Sequence, residues 1–277
     1  VTASGRLLTI IVRGAHERTE DLCLASIRDQ SDAAMEVVHE RPFLAALRRS
    51  VQIGIDSARE FTLCVDADIV FAPNAIARMI RQLQSEPEAF FTCGYLLDRF
   101  YGEPKARGVH LYRTRYLEEA RAAIPTSESV ERPETSMKSV LLARGRTSAY
   151  VRDRVLGLHG FGQYYRDVFR TIACRGQKSP EQFAPLMDRF SRRAGTDMDL
   201  RVALWALTSS VGGEVSLDVG RWSDEFERLR SLAALAERGA LDNVEAHKLR
   251  ILATMSESVP LALWRRIRRI RGLFVGS

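Results

Sequence analysis

Residues 7–12 (LLTIIV) form an unbroken apolar run between Gly5 and Gly14. A strand that is apolar at every position has both faces covered, the condition of a strand inside a parallel sheet with helices above and below. Residues 17–30 then read as a helix with Leu22 and Ile27 toward one face, and residues 35–39 as a short second strand. Residues 43–58 place Leu44, Leu47, Val51 and Ile55 at spacings of three to four, the period of a helix packed on one side. Residues 61–65 are a third strand, and Pro73 opens a helix to about residue 83, where a first-turn proline loses no hydrogen bond. Residues 89–95 and 109–112 read as further strands. Strands and helices alternating through short loops imply an α/β fold, a mostly parallel sheet with helices on both faces.

The second half has a different texture. Residues 125–133 are polar and read as an exposed loop. Beyond residue 179 the pattern is helical: Ser179-Pro180-Glu181 is a start signal and Gly195 a stop, and residues 223–238 and 243–258 read as two more helices. The expected division is therefore an α/β domain over residues 1–178 and a C-terminal helical region over 179–277.

Net charge narrows the partners. The chain of 277 residues carries 41 Lys+Arg against 35 Asp+Glu, a formal charge of +6. Five of those arginines (Arg265, Arg266, Arg268, Arg269 and Arg271) lie in one acid-free stretch, and without them the count is 36 against 35. A near-neutral body argues against nucleic acid as a partner. With Leu263 at the origin of a helical wheel, Ile267, Ile270 and Phe274 fall within about 40° of it, and the arginines spread from about 80° to 300°. Residues 261–274 thus form an amphipathic basic helix. Two roles are open: lying on an anionic membrane surface, or docking its apolar face on the domain.

The four cysteines are scattered without a C-x-x-C pair, which gives no ligand spacing for a structural zinc site, argues against a disulfide framework and fits a reducing compartment. No apolar run reaches the ~18 residues of a membrane span, and the first residues lack a signal-peptide pattern. The expected location is cytoplasmic, and peripheral at the inner face of the cell membrane if the basic helix takes the membrane-binding role.

The segment of chemical interest is 61–70 (FTLCVDADIV), where an apolar strand ends in Asp66-Ala67-Asp68. In extended backbone such a pair projects to one side, at the carboxyl edge where open α/β sheets bind ligands. Two carboxylates there suit a hard cation, Mg2+ or Mn2+, able to hold a diphosphate. The alternative is an acidic strand-to-helix turn in which Asp68 serves only as a cap. His159 ends a short apolar strand between Gly157 and Gly160, open to a metal or to a structural hydrogen bond. Arg166 comes next in a Tyr-Tyr-Arg-Asp run, suited to phosphate or to a surface ion pair.

Across about residues 7–170 these features resemble a GT-A fold glycosyltransferase of the family 2 kind. The likeness rests on the first strand with Arg13, the helix ending Ser26-Ile27-Arg28-Asp29-Gln30, the stretch Gln52-Ile53-Gly54-Ile55-Asp56, and Val65-Asp66-Ala67-Asp68. The resemblance implies a Rossmann-like domain in which Asp66, Ala67 and Asp68 are the D-x-D motif for metal and sugar nucleotide, with His159 completing the metal site. It also implies Mn2+ or Mg2+ as cofactor and a UDP- or GDP-sugar donor with Arg13 and Glu40 near the nucleoside and Arg166 at the phosphates. The acceptor would be a glycan or lipid-linked hydroxyl in bacterial cell-surface glycan synthesis. Departures exist: His39-Glu40-Arg41-Pro42 stands where the family has paired aspartates, and the Glu-Asp base motif and the Gln-x-x-Arg-Trp motif of processive synthases are missing. Glu134 is the carboxylate assigned as acceptor base, against a purely structural role at a helix start.

Two other readings stand beside this one. Asp66-Ala67-Asp68-Ile69-Val70 matches the D-x-D-x-[TV] pattern of haloacid-dehalogenase-like phosphatases, although that motif normally closes the first strand and not the third. The other is a non-catalytic, membrane-associated binding protein on a transferase fold.

Overall fold

The computed structural model describes residues 7–127, 132–210 and 219–264. They divide into two compact units, Val1–Phe161 with Asp242–Ser277, and Gly162–Leu241. The first boundary falls before the expected one at residue 178, because the helix Tyr165–Lys178 packs with the helices that come after it. The chain also returns at Asp242 to the first unit, so the last described helix is part of the α/β body.

The first unit begins β1 (Leu8–Arg13), α1 (Glu20–Arg28), β2 (Ala34–Val38), α2 (Phe43–Ser57) and β3 (Phe61–Asp66). After a turn come β4 (Ile69–Phe71), α3 (Ala75–Gln84), β5 (Ala89–Asp98), β6 (Pro104–Ala106) and β7 (Val109–Arg113). Next are α4 (Leu117–Ala123), α5 (Pro133–Ala143) and β8 (Thr147–His159). One eight-stranded sheet runs β2-β1-β3-β7-β5-β8-β4, with β6 on β5. β1 pairs in parallel with β2 and β3, and β5 with β8, whereas β7, β6 and β4 run against their neighbours. Most strands therefore share one direction, as the apolar runs implied.

β1 is buried at all six positions, and its alternation sorts side chains to two cores. Ile10 and Val12 join Cys23, Leu24 and Ile27 of α1 and Met79 and Leu83 of α3 on one face. Ile11 and Cys64 join Leu44, Leu47 and Val51 of α2 with Leu117, Met137 and Leu141 of α4 and α5 on the other. Helices thus cover both faces. The cysteines are free, three of them buried.

The second unit holds α6 (Tyr165–Lys178), α7 (Phe183–Ser191), α8 (Met198–Ser209) and α9 (Val219–Leu232). Phe169 of α6 packs on Phe226 of α9, ring centroids 5.6 Å apart. The chain then forms α10 (Asn243–Ser258), opened by a capping box of Asp242 and Glu245 and packed on β8 and β4. Arg154 of β8 donates to the Ser258 carbonyl at 2.6 Å, and Arg78 of α3 pairs with Glu257 at 2.8 Å. Among the described residues no helix is long and apolar enough to cross a membrane. The five arginines of the expected basic helix lie outside the described residues; Leu261 just before them is buried.

Candidate active site

The carboxyl ends of β1 and β3 meet in register, placing Arg13 beside Asp66. Arg13 is 4% exposed. Its Nε donates to Asp66 Oδ1 at 3.0 Å, and its terminal nitrogens donate to Glu134 at 3.1 and 3.4 Å. Glu134 comes from the first turn of α5, where Pro133 starts the helix. Its carboxylate also accepts from the Tyr112 hydroxyl at 2.8 Å, and His110 Nδ1 lies 3.3 Å away. Lys138, one helical turn on, reaches His110 Nε2.

Burial would raise the Glu134 carboxyl, but Arg13, His110 and Lys138 outweigh it and hold the group well below the usual range. Asp66 goes the other way. Burial, less the effect of Arg13 and reinforced by Asp68 and Glu134, pushes it up to about 6. Burial pushes His110 and Lys138 down against the pull of Glu134.

A second network begins two residues beyond Asp66. Ala67 and Asp68 form a turn, not a continuation of the strand, so the alternation expected to align both carboxylates does not extend to Asp68. β4 starts immediately after and pairs Ile69 with His159 at the end of β8. His159 Nε2 faces Asp68 Oδ2 at 3.5 Å, and its Nδ1 lies 3.1 Å from Asp98 Oδ2. Asp98 is wholly buried at the end of β5, where its Oδ1 accepts the Phe100 and Tyr101 amides at 2.9 and 3.0 Å. Burial would lower the His159 pKa, yet Asp68 and Asp98 together raise it.

A divalent cation requires donor atoms that no protein group has already claimed. Asp68 Oδ1 is buried without a hydrogen-bond partner. An imidazole whose Nδ1–H goes to a buried carboxylate presents Nε2 as a ligand, the usual arrangement behind a metal-binding histidine. Asp68 and His159 therefore fit such an ion, with Asp66 at the rim and one oxygen held by Arg13. Gly108 borders the same space with φ +70°; a Cβ there would lie 3.3 Å from Asp66 Oδ2 and 3.4 Å from the His159 ring.

The remaining expected residues lie elsewhere. Glu40 is exposed past the end of β2, and its neighbour His39 is the residue engaged, by Glu20. Arg166 belongs to the second unit, with its guanidinium 4.5 Å from the Tyr164 ring centroid. The network partners Asp98, His110, Tyr112 and Lys138 escape a reading by motif. Asp98 had one local signal: it is the acid that closes the apolar run of β5, the same pattern that marked Asp66.

No protein-family model and no curated protein matches the chain. Solved structures do. A mannosyltransferase from Pyrobaculum calidifontis, determined with GDP-Man and Mn2+, is similar over 95% of this chain and 87% of that one, at 14% identity and a TM-score of 0.44. A glycosyltransferase involved in glycosylation of the PBCV-1 major capsid is similar over 52% of this chain and 81% of that one, at 14% identity and a TM-score of 0.37. A 4-diphosphocytidyl-2C-methyl-D-erythritol synthase from Anaerococcus prevotii is similar over 53% of this chain and 89% of that one, at 8% identity and a TM-score of 0.40.

Proposed function

We propose that the chain is a metal-dependent glycosyltransferase that moves a sugar from a nucleotide-diphosphate donor to a hydroxyl on a glycan or lipid-linked acceptor, in bacterial cell-surface glycan synthesis. The observation that carries this reading is the unpartnered, buried Asp68 Oδ1 beside a histidine fixed from behind by Asp98. Asp68 and His159 would hold Mn2+ or Mg2+, with Asp66 alongside. Such an ion, when bound, neutralises charge on a leaving diphosphate.

The protein's own groups do the rest. Asp98 sets the ring of His159, and Arg13 fixes Asp66 at the edge of the site. Glu134, expected as the acceptor's base, has its oxygens committed to Arg13 and Tyr112 and is held as a carboxylate of low basicity. We assign it the orientation of Arg13 in place of proton removal. A phosphatase would use Asp66 as nucleophile, but Arg13 engages Oδ1 through both Nε and a terminal nitrogen.

Calorimetric titration with UDP- and GDP-sugars, with and without Mn2+, tests the proposal. Expected is Mn2+-dependent binding of one donor class that Asp68→Ala abolishes. If no sugar nucleotide binds in the presence of Mn2+, and Asp68→Ala leaves Mn2+ affinity unchanged, the reading fails.

A further inference from the structure

The rim of the sheet holds a second set of ligand-type side chains, one strand away from Asp66. β1 and β2 are parallel neighbours whose last paired residues are Arg13 and Val38. The residues just beyond them are therefore adjacent, and the Gly14 amide donates to the Val38 carbonyl at 2.9 Å. His39 succeeds β2, His16 lies in the loop after β1, and Glu20 opens α1. Each offers one ligand atom, and these atoms lie within 4.8 Å of one another; among the described residues this is the group of three or more His, Cys, Asp or Glu that meets that condition. Asp66, Asp68 and His159 do not.

The local geometry favours convergence. His39 Nε2 lies 2.8 and 3.0 Å from the two Glu20 oxygens, and the His16 and His39 rings are 4.1 Å apart at 33°. His16 takes a left-handed backbone conformation, φ 63°, uncommon outside glycine although Asn, Asp and His adopt it more often than other residues. Gly14 leaves the space that Glu20 occupies, since a Cβ there would stand 2.3 Å from Glu20 Oε2. The loop is secured on both sides of one residue: the Ala15 amide donates to Glu17 at 2.6 Å, and Arg41 donates to the Ala15 carbonyl at 3.0 Å. Both histidines are exposed, so an ion has access from solvent.

We propose that His16, Glu20 and His39 bind a transition-metal cation of the zinc class. Two imidazole nitrogens and one carboxylate oxygen prefer Zn2+, Ni2+ or Cu2+ to Mg2+ and Mn2+, the reverse of the oxygen-rich Asp66–Asp68 end. Metal–ligand bonds of about 2.0–2.2 Å in a tetrahedron bring ligand atoms to about 3.4 Å from one another. The His39–Glu20 contact, now 2.8 Å, would open slightly and the exposed His16 ring would swing in, with Glu20 half-buried between the two histidines. Three protein ligands leave a further position for water or for an oxygen of a bound molecule. The ion would join the β1–α1 loop to the end of β2. The site does not depend on the transferase reading.

The test uses the full chain without an affinity tag, stripped of metal, with Zn2+ alone as probe in competition with a chromophoric chelator, and Co2+ in parallel for its visible spectrum. Uptake is read in the Asp68→Asn background, where the Asp68–His159 end no longer contributes; the expected result there is one equivalent of Zn2+ and a tetrahedral Co2+ absorption. Adding His16→Asn or His39→Asn to that background should weaken binding by at least the roughly ten- to hundredfold that loss of a mere outer-shell partner costs. Circular dichroism confirms that the exposed-site variants remain folded. Absence of Zn2+ uptake in Asp68→Asn, or equal uptake after His16→Asn or His39→Asn is added, overturns the assignment; His39 and Glu20 are then only an ion pair.

Discussion

Asp98 lies behind His159: a carboxylate with no exposed surface sits 3.1 Å from Nδ1 of a ring whose Nε2 faces Asp68. Two backbone amides and Arg107, 3.2 Å away, hold that carboxylate in turn. A ring fixed in this way presents one nitrogen in one direction, which is what a metal ligand requires.

Asp98→Asn tests that support. It keeps the shape but offers a weaker acceptor to Nδ1–H, so Mn2+ affinity measured by calorimetry should fall by about 10–100-fold, with the circular dichroism spectrum unchanged. An undiminished affinity would show that the ring needs no support from Asp98.

Glu134→Gln leaves Arg13 buried with half its pairing gone. Breaking a buried pair from one side costs about 3–5 kcal/mol, readable in urea unfolding at pH 7. The pH dependence has a defined sign. The folded pKa of Glu134 is depressed, so its contribution is present above the unfolded value of about 4.3 and is lost as pH falls through the lower folded value. The acid limb of the stability curve should flatten in the variant.

Asp66 predicts the opposite slope in another window. Its folded pKa of about 6 exceeds the ordinary carboxylate value, so its contribution is complete below about pH 4 and is lost as pH rises to about 6. Urea midpoints of the metal-free chain should carry that decline, and Asp66→Asn should remove it.

Gly108→Ala tests the wall of the site. A side chain at φ +70° is strained, and its Cβ would stand 2.9 Å from Ile69 Cδ1 while facing Asp66 and His159. The expected outcome is a stability loss of about 1 kcal/mol or more together with weaker Mn2+ binding. Loss of stability with metal binding intact would place Gly108 outside the site.

Much of this was legible in local pattern. The apolar run of β1 and the helical spacing of Leu44, Leu47 and Val51 report burial along one short segment, and burial periodicity is a local property. Asp66, Asp68 and His159 were marked as candidates in the same local way, Asp66 and His159 at the ends of apolar strands and Asp68 two residues past one. The assignment of residues 179–277 as one helical region was coarser than the fold, because docking of α10 on β8 and β4 depends on contacts that periodicity does not encode.

The partners of these residues were settled by the tertiary structure. Glu134 is 121 positions from Arg13, and Asp98 is 61 from His159. Asp98 meets His159 because β5 pairs with β8 out of sequence order, and Glu134 reaches Arg13 from a helix packed on the face of the sheet. That arrangement decides which carboxylate is pinned by an arginine and low in basicity, and which has a buried oxygen without a partner. The sequence by itself determined the α/β layering and where the acids stand along the chain. Charge, desolvation and reach at those acids depend on groups delivered from distant strands, so only the folded sheet could decide their chemistry.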